Sequence, residues 1–168
     1  MSSTTVADVA ILMGSKSDLG AMQPAADVCT KLGLRVAVRV LSAHRTPEQT
    51  VAFVREAAAG GTKVFICGAG GAAHLAGAVA AQTTRPVIGV PIASSSLQGM
   101  DALLSTVMMP PGMPVATVAV GGAENAGLLA AQIIALSDTA LAGRLQAERE
   151  ARRQKVLEGD AEVRARYP

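Results

Sequence analysis

Three short stretches gather the side chains best able to do chemistry. Gly14-Ser15-Lys16-Ser17-Asp18 offers hydroxyls, a carboxylate and backbone N–H groups. Ser42-Ala43-His44-Arg45-Thr46-Pro47 sets an imidazole beside a guanidinium, and Gly68-Ala69-Gly70-Gly71-Ala72-Ala73-His74 brings a second imidazole behind a glycine run. Imidazole, with an ordinary pKa of ~6.5, gives and takes protons near neutrality. A guanidinium is a planar fork suited to phosphate or carboxylate, and glycine lets a backbone approach a ligand closely. The chemistry on offer is the binding of a small anion with proton transfer beside it.

Each stretch also has a plainer reading. Ser15, Ser17 or Asp18 would serve as ordinary helix caps; in the functional reading their hydroxyls and amides hold a phosphate and Asp18 accepts from ribose hydroxyls. A Walker loop needs Gly immediately before its Lys, and Ser15 stands there instead. His44 is either a packing residue or an acid/base. Gly68 to Ala73 loosely fits the G-x-G-x-x-A dinucleotide pattern, but no acidic residue follows about 20 positions later. The whole of 57–100 lacks Asp and Glu, so it would not repel an anionic ligand.

The elements that must position these residues follow from periodicity. Asp8 to Gly14 is a short apolar run of the kind buried on both faces of a sheet. Ser17 to Leu32 has helical spacing, with Leu19, Met22, Ala26, Cys29 and Leu32 along one stripe and Gly33 as a left-handed cap. Leu34 to Leu41 alternates as a strand. Pro47 to Ala59 is a helix, with Thr46 as its cap, Pro47 in first position and Gln49 completing a capping box.

Strand Lys63 to Cys67 and helix Gly71 to Gln82 come next, then strand Pro86 to Val90 and helix Leu97 to Val107. Strand Val115 to Val120, an apolar helix over 123–136 and a charged helix from about Asp138 to Leu157 complete the chain. Strands alternating with helices predict an α/β protein, a three-layer Rossmann or flavodoxin-like sandwich around a central parallel sheet. The 168 residues read as a single catalytic domain carrying that charged C-terminal helix. Ligands of open parallel sheets bind beyond the carboxyl ends of the strands, and all three stretches lie there, each opening a helix whose free N–H groups favour anions.

Composition removes several classes. Half the residues are hydrophobic and 17% charged, which excludes a disordered chain. A net charge of +2 argues against nucleic acid, since the late basic residues alternate with Glu148, Glu150 and Glu158 as on a solvated helix face. Cys29 and Cys67 form no CxxC, and with two His in the chain a conventional metal site is not expected. Met1 to Asp8 lacks the basic region of a signal peptide. Val64 to Thr84 is uncharged and long enough to span a bilayer, but four glycines, His74, Gln82 and two threonines make it weakly apolar. A soluble, cytoplasmic protein with no membrane partner is the expectation. The apolar circumference of 123–136 suggests contacts between subunits.

In this order the stretches resemble the N5-carboxyaminoimidazole ribonucleotide mutase family of bacterial purine biosynthesis. The likeness runs from about Val9 to Leu136 through MGSKSD, SAHRTP, GAGGAAHL, PVIGVP and NAGLLAAQI. It implies a Rossmann-like sandwich assembled as a homo-octamer and a small-molecule ribonucleotide as substrate. No cofactor is implied. By the same resemblance His44 is the general acid/base, and Ser15, Ser17 and Asp18 belong to the first nucleotide-binding loop, with Asp18 at the ribose. Ser42, Ala43 and Arg45 fall in the phosphate-side motif. Gly70, Gly71, Ala72, His74 and Leu75 match the loop around the imidazole and the migrating carboxylate.

A related branch carboxylates aminoimidazole ribonucleotide directly with carbon dioxide, with a Lys-Gly second motif and an Asn-containing glycine loop. Arg45-Thr46 and Ala72-Ala73-His74 resemble the mutase branch instead. Ala76, where the family often has Pro, and Pro111, where a basic residue is common, depart from the pattern. Two rivals stand outside the family. A flavin or nucleotide-binding module would want stacking aromatics, and only Phe53, Phe65 and Tyr167 are present. A phosphoacceptor domain would want Asp at the end of the third strand, where Cys67-Gly68 stands.

Overall fold

A computed structural model describes residues 6–167 of the chain. The signal-peptide reading of residues 1–8 therefore falls mainly outside the described residues. Five strands form one sheet: β1 (Val9–Met13), β2 (Val36–Val40), β3 (Val64–Gly70), β4 (Val87–Ile92) and β5 (Ala116–Thr117). All neighbours are parallel, in the order β2-β1-β3-β4-β5, which is the flavodoxin-like arrangement. The helices are α1 (Leu19–Lys31), α2 (Pro47–Ala59), α3 (Leu75–Ala80), α4 (Met100–Val107), α5 (Ala123–Ala135) and α6 (Thr139–Arg166).

Strand periodicity divides the core into two layers. Val9, Ile11 and Met13 of β1, with Val64 and Ile66 of β3, face α1 and α5. Ala10, Leu12, Phe65 and Cys67 face the opposite way, toward Val54 of α2 and Leu75, Ala76 and Val79 of α3. Every residue of β1 is buried, as a strand covered on both faces requires. Small residues bring the layers close. A Cβ on Gly127 of α5 would stand 2.9 Å from the carbonyl oxygen of Ala25 in α1, so glycine sets that helix–helix distance. Cys29 and Cys67 are free thiols inside the two layers, and burial pushes the Cys29 thiol up to about 11 and raises that of Cys67 as well.

Several elements differ from the sequence reading. A 3₁₀ turn at Lys16–Asp18 precedes α1, so Leu19 falls at the helix entrance and is 41% exposed rather than part of the buried stripe. Gly33 is left-handed at φ +77°, as expected after the helix. Thr46 makes no side-chain cap to α2 and the predicted box with Gln49 is absent; a capping box forms instead between Ser15 and Asp18. Helix α3 is short because residues 71–74 form a turn ahead of it. Strand β5 shrinks to two ladder residues.

Helix α5 packs its buried face against α1, β3, β4 and α6, while Leu128, Leu129 and Ile133 stay half-buried and Leu136, just past its end, is exposed. Helix α6 runs on to Arg166, well past the expected end at 157. Asp138 caps it by accepting from Leu141 N–H at 2.9 Å, and the buried Leu141 anchors the first turn. Arg144 donates to the Leu32 carbonyl at 2.8 Å, while Lys31–Glu148 and Arg152–Glu124 ion pairs tie the middle. Beyond Arg152 its side-chain bonds among the described residues are to its own helix. Among the described residues no helix is long and apolar enough to cross a membrane.

Candidate active site

The carboxyl ends of β1, β2, β3 and β4 enclose a cavity of about 340 Å³. Its β1 wall is made by Gly14, Ser15, Ser17 and Asp18. Asp18 Oδ2 accepts from Ser15 N–H at 3.0 Å, and Ser15 Oγ accepts from the Ser17 hydroxyl at 2.9 Å. The capping role of these residues is therefore real, and it presents their hydroxyls and a carboxylate to the cavity rather than competing with a ligand role.

Ser42, Ala43, His44 and Arg45 form the β2 wall. Thr46 locks their loop: its hydroxyl accepts from Ser42 N–H at 2.8 Å and donates to the Ser42 carbonyl, while Thr46 N–H closes the turn onto the same carbonyl at 3.0 Å. Buried Thr50 donates to the Ser42 and Thr46 carbonyls from the first turns of α2. Thr46 thus fastens the loop instead of capping the helix. Ser42 Oγ accepts from Arg45 N–H at 3.1 Å, and Arg45 Nη2 donates to the Gly14 carbonyl at 2.6 Å. That bond aims the guanidinium across from β2 to β1 and leaves further donors of its fork for an anion.

The β3 wall holds Ala69, Gly70, Ala72, His74 and Leu75. Gly71 lies outside the lining: at φ +60° it makes the turn in which Ala73 N–H and His74 N–H return to the Gly71 and Ala72 carbonyls. That turn carries His74 back over β2, where its Nδ1 is 2.8 Å from His44 Nε2. The rings meet edge to face, 87° apart with centroids 4.9 Å apart. One of these facing nitrogens carries the proton and the other accepts it. The pair can take up one extra proton and keep this bond, whereas a second would set two donors against each other. His44 Nδ1 has no partner among the described residues, which leaves it for a ligand.

Sequence reasoning missed Ser94, which completes the cavity from beyond β4. The carboxyl-end rule that picked the other three stretches applies equally to the residues after Ile92. A larger cavity of about 1030 Å³ lies at the other end of β4, walled by Ala80 to Val87 and Gly112 to Pro114. Arg85 is its one charged lining residue, and nothing there could pair an acid with a base. Among the described residues no three His, Cys, Asp or Glu side chains group as a metal ion would need.

A flavodoxin-like sheet whose carboxyl edge joins two imidazoles, a guanidinium and open helix N-termini has the build of an α/β enzyme acting on a small anionic ligand. The sequence matches the AIR carboxylase family over residues 8–155, and the chain belongs to that family. An N5-carboxyaminoimidazole ribonucleotide mutase of Brucella melitensis is 55% identical over 153 residues, covering 90% of this chain and 94% of its own. That of Escherichia coli K12 is 52% identical, with 90% and 91% covered. The crystal structure of Treponema denticola PurE superposes with a TM-score of 0.84 at 35% identity, covering 92% of this chain and 96% of its own.

Proposed function

We propose that this protein is an N5-carboxyaminoimidazole ribonucleotide mutase, moving a carboxylate from the exocyclic nitrogen to ring carbon C4. The observation that carries the reading is the His44–His74 contact inside a cavity that also holds Arg45 and the Ser15–Asp18 box. The relatives at about half identity bear the same name.

His44, protonated, gives its proton to the carbamate nitrogen; the N–C bond breaks and carbon dioxide is released into the cavity. The electron-rich C4 attacks the carbon dioxide, and His44, now neutral, removes the C4 proton. The proton returns to the group that supplied it, so the isomerisation consumes no co-reactant. His74 is a positioning residue here: it fixes the His44 ring and accepts or donates across the 2.8 Å contact as the charge changes. Arg45 and the serines hold the phosphate, and Asp18 the ribose. The reading carries with it a cytoplasmic homo-octamer. Self-association draws support from an apolar row on and before α4, where Leu97, Met100, Leu104 and Val107 are all exposed.

The test mixes purified protein with N5-carboxyaminoimidazole ribonucleotide, without ATP or bicarbonate, and follows the C4-carboxylated isomer. Turnover by the native protein and a loss of at least ~10²–10⁴-fold in His44→Asn is the expected result. Use of only aminoimidazole ribonucleotide and carbon dioxide would place the protein in the direct-carboxylating branch instead.

A further inference from the structure

Gly70 has an ordinary backbone, yet no other residue fits there. A Cβ on it would overlap the Ser94 hydroxyl and come within 2.7 Å of Ser94 Cβ and 3.1 Å of the Ile92 carbonyl. The glycine at the end of β3 therefore exists to seat the serine that follows β4. Ser94 lines the same cavity as His44 and His74, and its hydroxyl makes no hydrogen bond among the described residues. Its neighbour is differently employed: Ser95 Oγ donates to Asp101 Oδ2 at 2.7 Å and accepts from Leu97 N–H. That brace, followed by Gln98 in the left-handed region at φ +54°, holds the loop in place. Ser94 is thus left exposed and unpaired at the cavity, on a loop that Ser95 fastens to the first turn of α4.

Position decides which part of a ligand it meets. Ser94 reaches the cavity over the end of β3, against Gly70, whereas the Arg45 fork is held at the end of β1 by the Gly14 carbonyl. Arg45 is the one guanidinium or ammonium lining the cavity and suits a phosphate, which leaves the Ser94 side to an uncharged donor. We infer that Ser94 is a substrate-specificity residue whose hydroxyl donates to the carboxylate of the carboxylated ribonucleotide, seated by the absence of a side chain at Gly70. The inference rests on the ligand class proposed above.

Binding of two ligands by calorimetry tests it: 4-carboxy-5-aminoimidazole ribonucleotide and aminoimidazole ribonucleotide, which lacks the carboxylate. Ser94→Ala and Gly70→Ala, the latter displacing the hydroxyl, are compared with the native protein, with thermal melting as the folding control. A hydrogen bond to a charged group predicts a loss of roughly ten- to a hundredfold in affinity for the carboxylated ligand in Ser94→Ala, and under threefold for the other. Gly70→Ala should shift the ratio of the two affinities in the same direction. Unchanged affinity of Ser94→Ala for the carboxylated ligand, or an equal loss for both, would overturn the assignment. A native protein that binds both ligands without isomerising would refute the proposed activity alone, leaving the affinity ratio to judge Ser94; one that binds neither refutes both.

Discussion

The two ends of the sheet differ in a way that cavity size would conceal. The amino end of β4 has the larger hollow, about 1030 Å³, walled by alanines, threonines and prolines with a single arginine. The carboxyl end encloses about 340 Å³ but brings two imidazoles, a guanidinium and a carboxylate from three separate loops to one place. Parallel strands make this asymmetry: every carboxyl end opens a loop and then a helix N-terminus on the same side. Convergence of polar groups, and not volume, singles out the candidate site.

The strongest attempt to break this contrast is a matched pair of variants. His44→Asn should lower turnover by at least ~10²-fold, while Arg85→Ala in the larger cavity should leave kcat/KM within about twofold of native. A comparable loss in Arg85→Ala would mean that both ends take part. Next in size is Arg45→Lys. It keeps the charge but loses the planar fork that bridges to Gly14, and is expected to raise KM by roughly ten- to a hundredfold. Steady-state kinetics checks this, and a purely structural effect would instead lower the melting temperature without that change in KM.

Two predictions sharpen the contrast by separating site from scaffold. Ile66→Ala removes a fully buried side chain from the α1/α5 layer and should destabilise by about 2–5 kcal/mol. Denaturant unfolding would register this, with kcat of the folded fraction retained. The smallest effect concerns Asp8 at the amino end. The Arg35 side chain, which donates to both its oxygens, holds this carboxyl below its ordinary value, overcoming the opposing effect of burial. A depressed carboxyl stabilises the fold above its unfolded pKa, and that contribution is lost as pH falls through the folded one. Asp8→Asn should therefore cost at most about 1 kcal/mol near neutrality. The difference from native should vanish in acid below the usual aspartate range, which unfolding at several pH values can check.

Much of the fold is legible in the sequence. Helix α2 runs from Pro47 to Ala59 as its proline in first position predicts, although Thr46 does not cap it, and the alternation of strand and helix predicts the parallel sandwich. Periodicity failed where a residue matters by what it lacks. Strand β3 continues to Gly70 in register with β4, where Gly68 leaves room for Met22 and Gly70 for Ser94, and no hydrophobic pattern records such vacant volume. Strand β5 was expected over 115–120, but the Gly89 and Pro91 carbonyls accept from Val118 and Gly121, so the missing N–H of Pro91 faces β5. The ladder ends there for want of a donor. In the site, the His44–His74 contact joins residues 30 positions apart and depends on a left-handed turn at Gly71. Spacing placed both imidazoles at the right edge; only the turn decides that they touch.

The outer part of α6 has a different kind of consequence. A helix of 28 residues is about 42 Å long, and among the described residues its side-chain ties to the body end at Arg152. Within one subunit, exchanges in the last few turns would disturb neither the two core layers nor the cavity. Selection on the fold of a single chain is correspondingly weak there. That leaves a stretch of sequence able to drift, or to acquire a new task, while the rest of the chain stays bound by its packing.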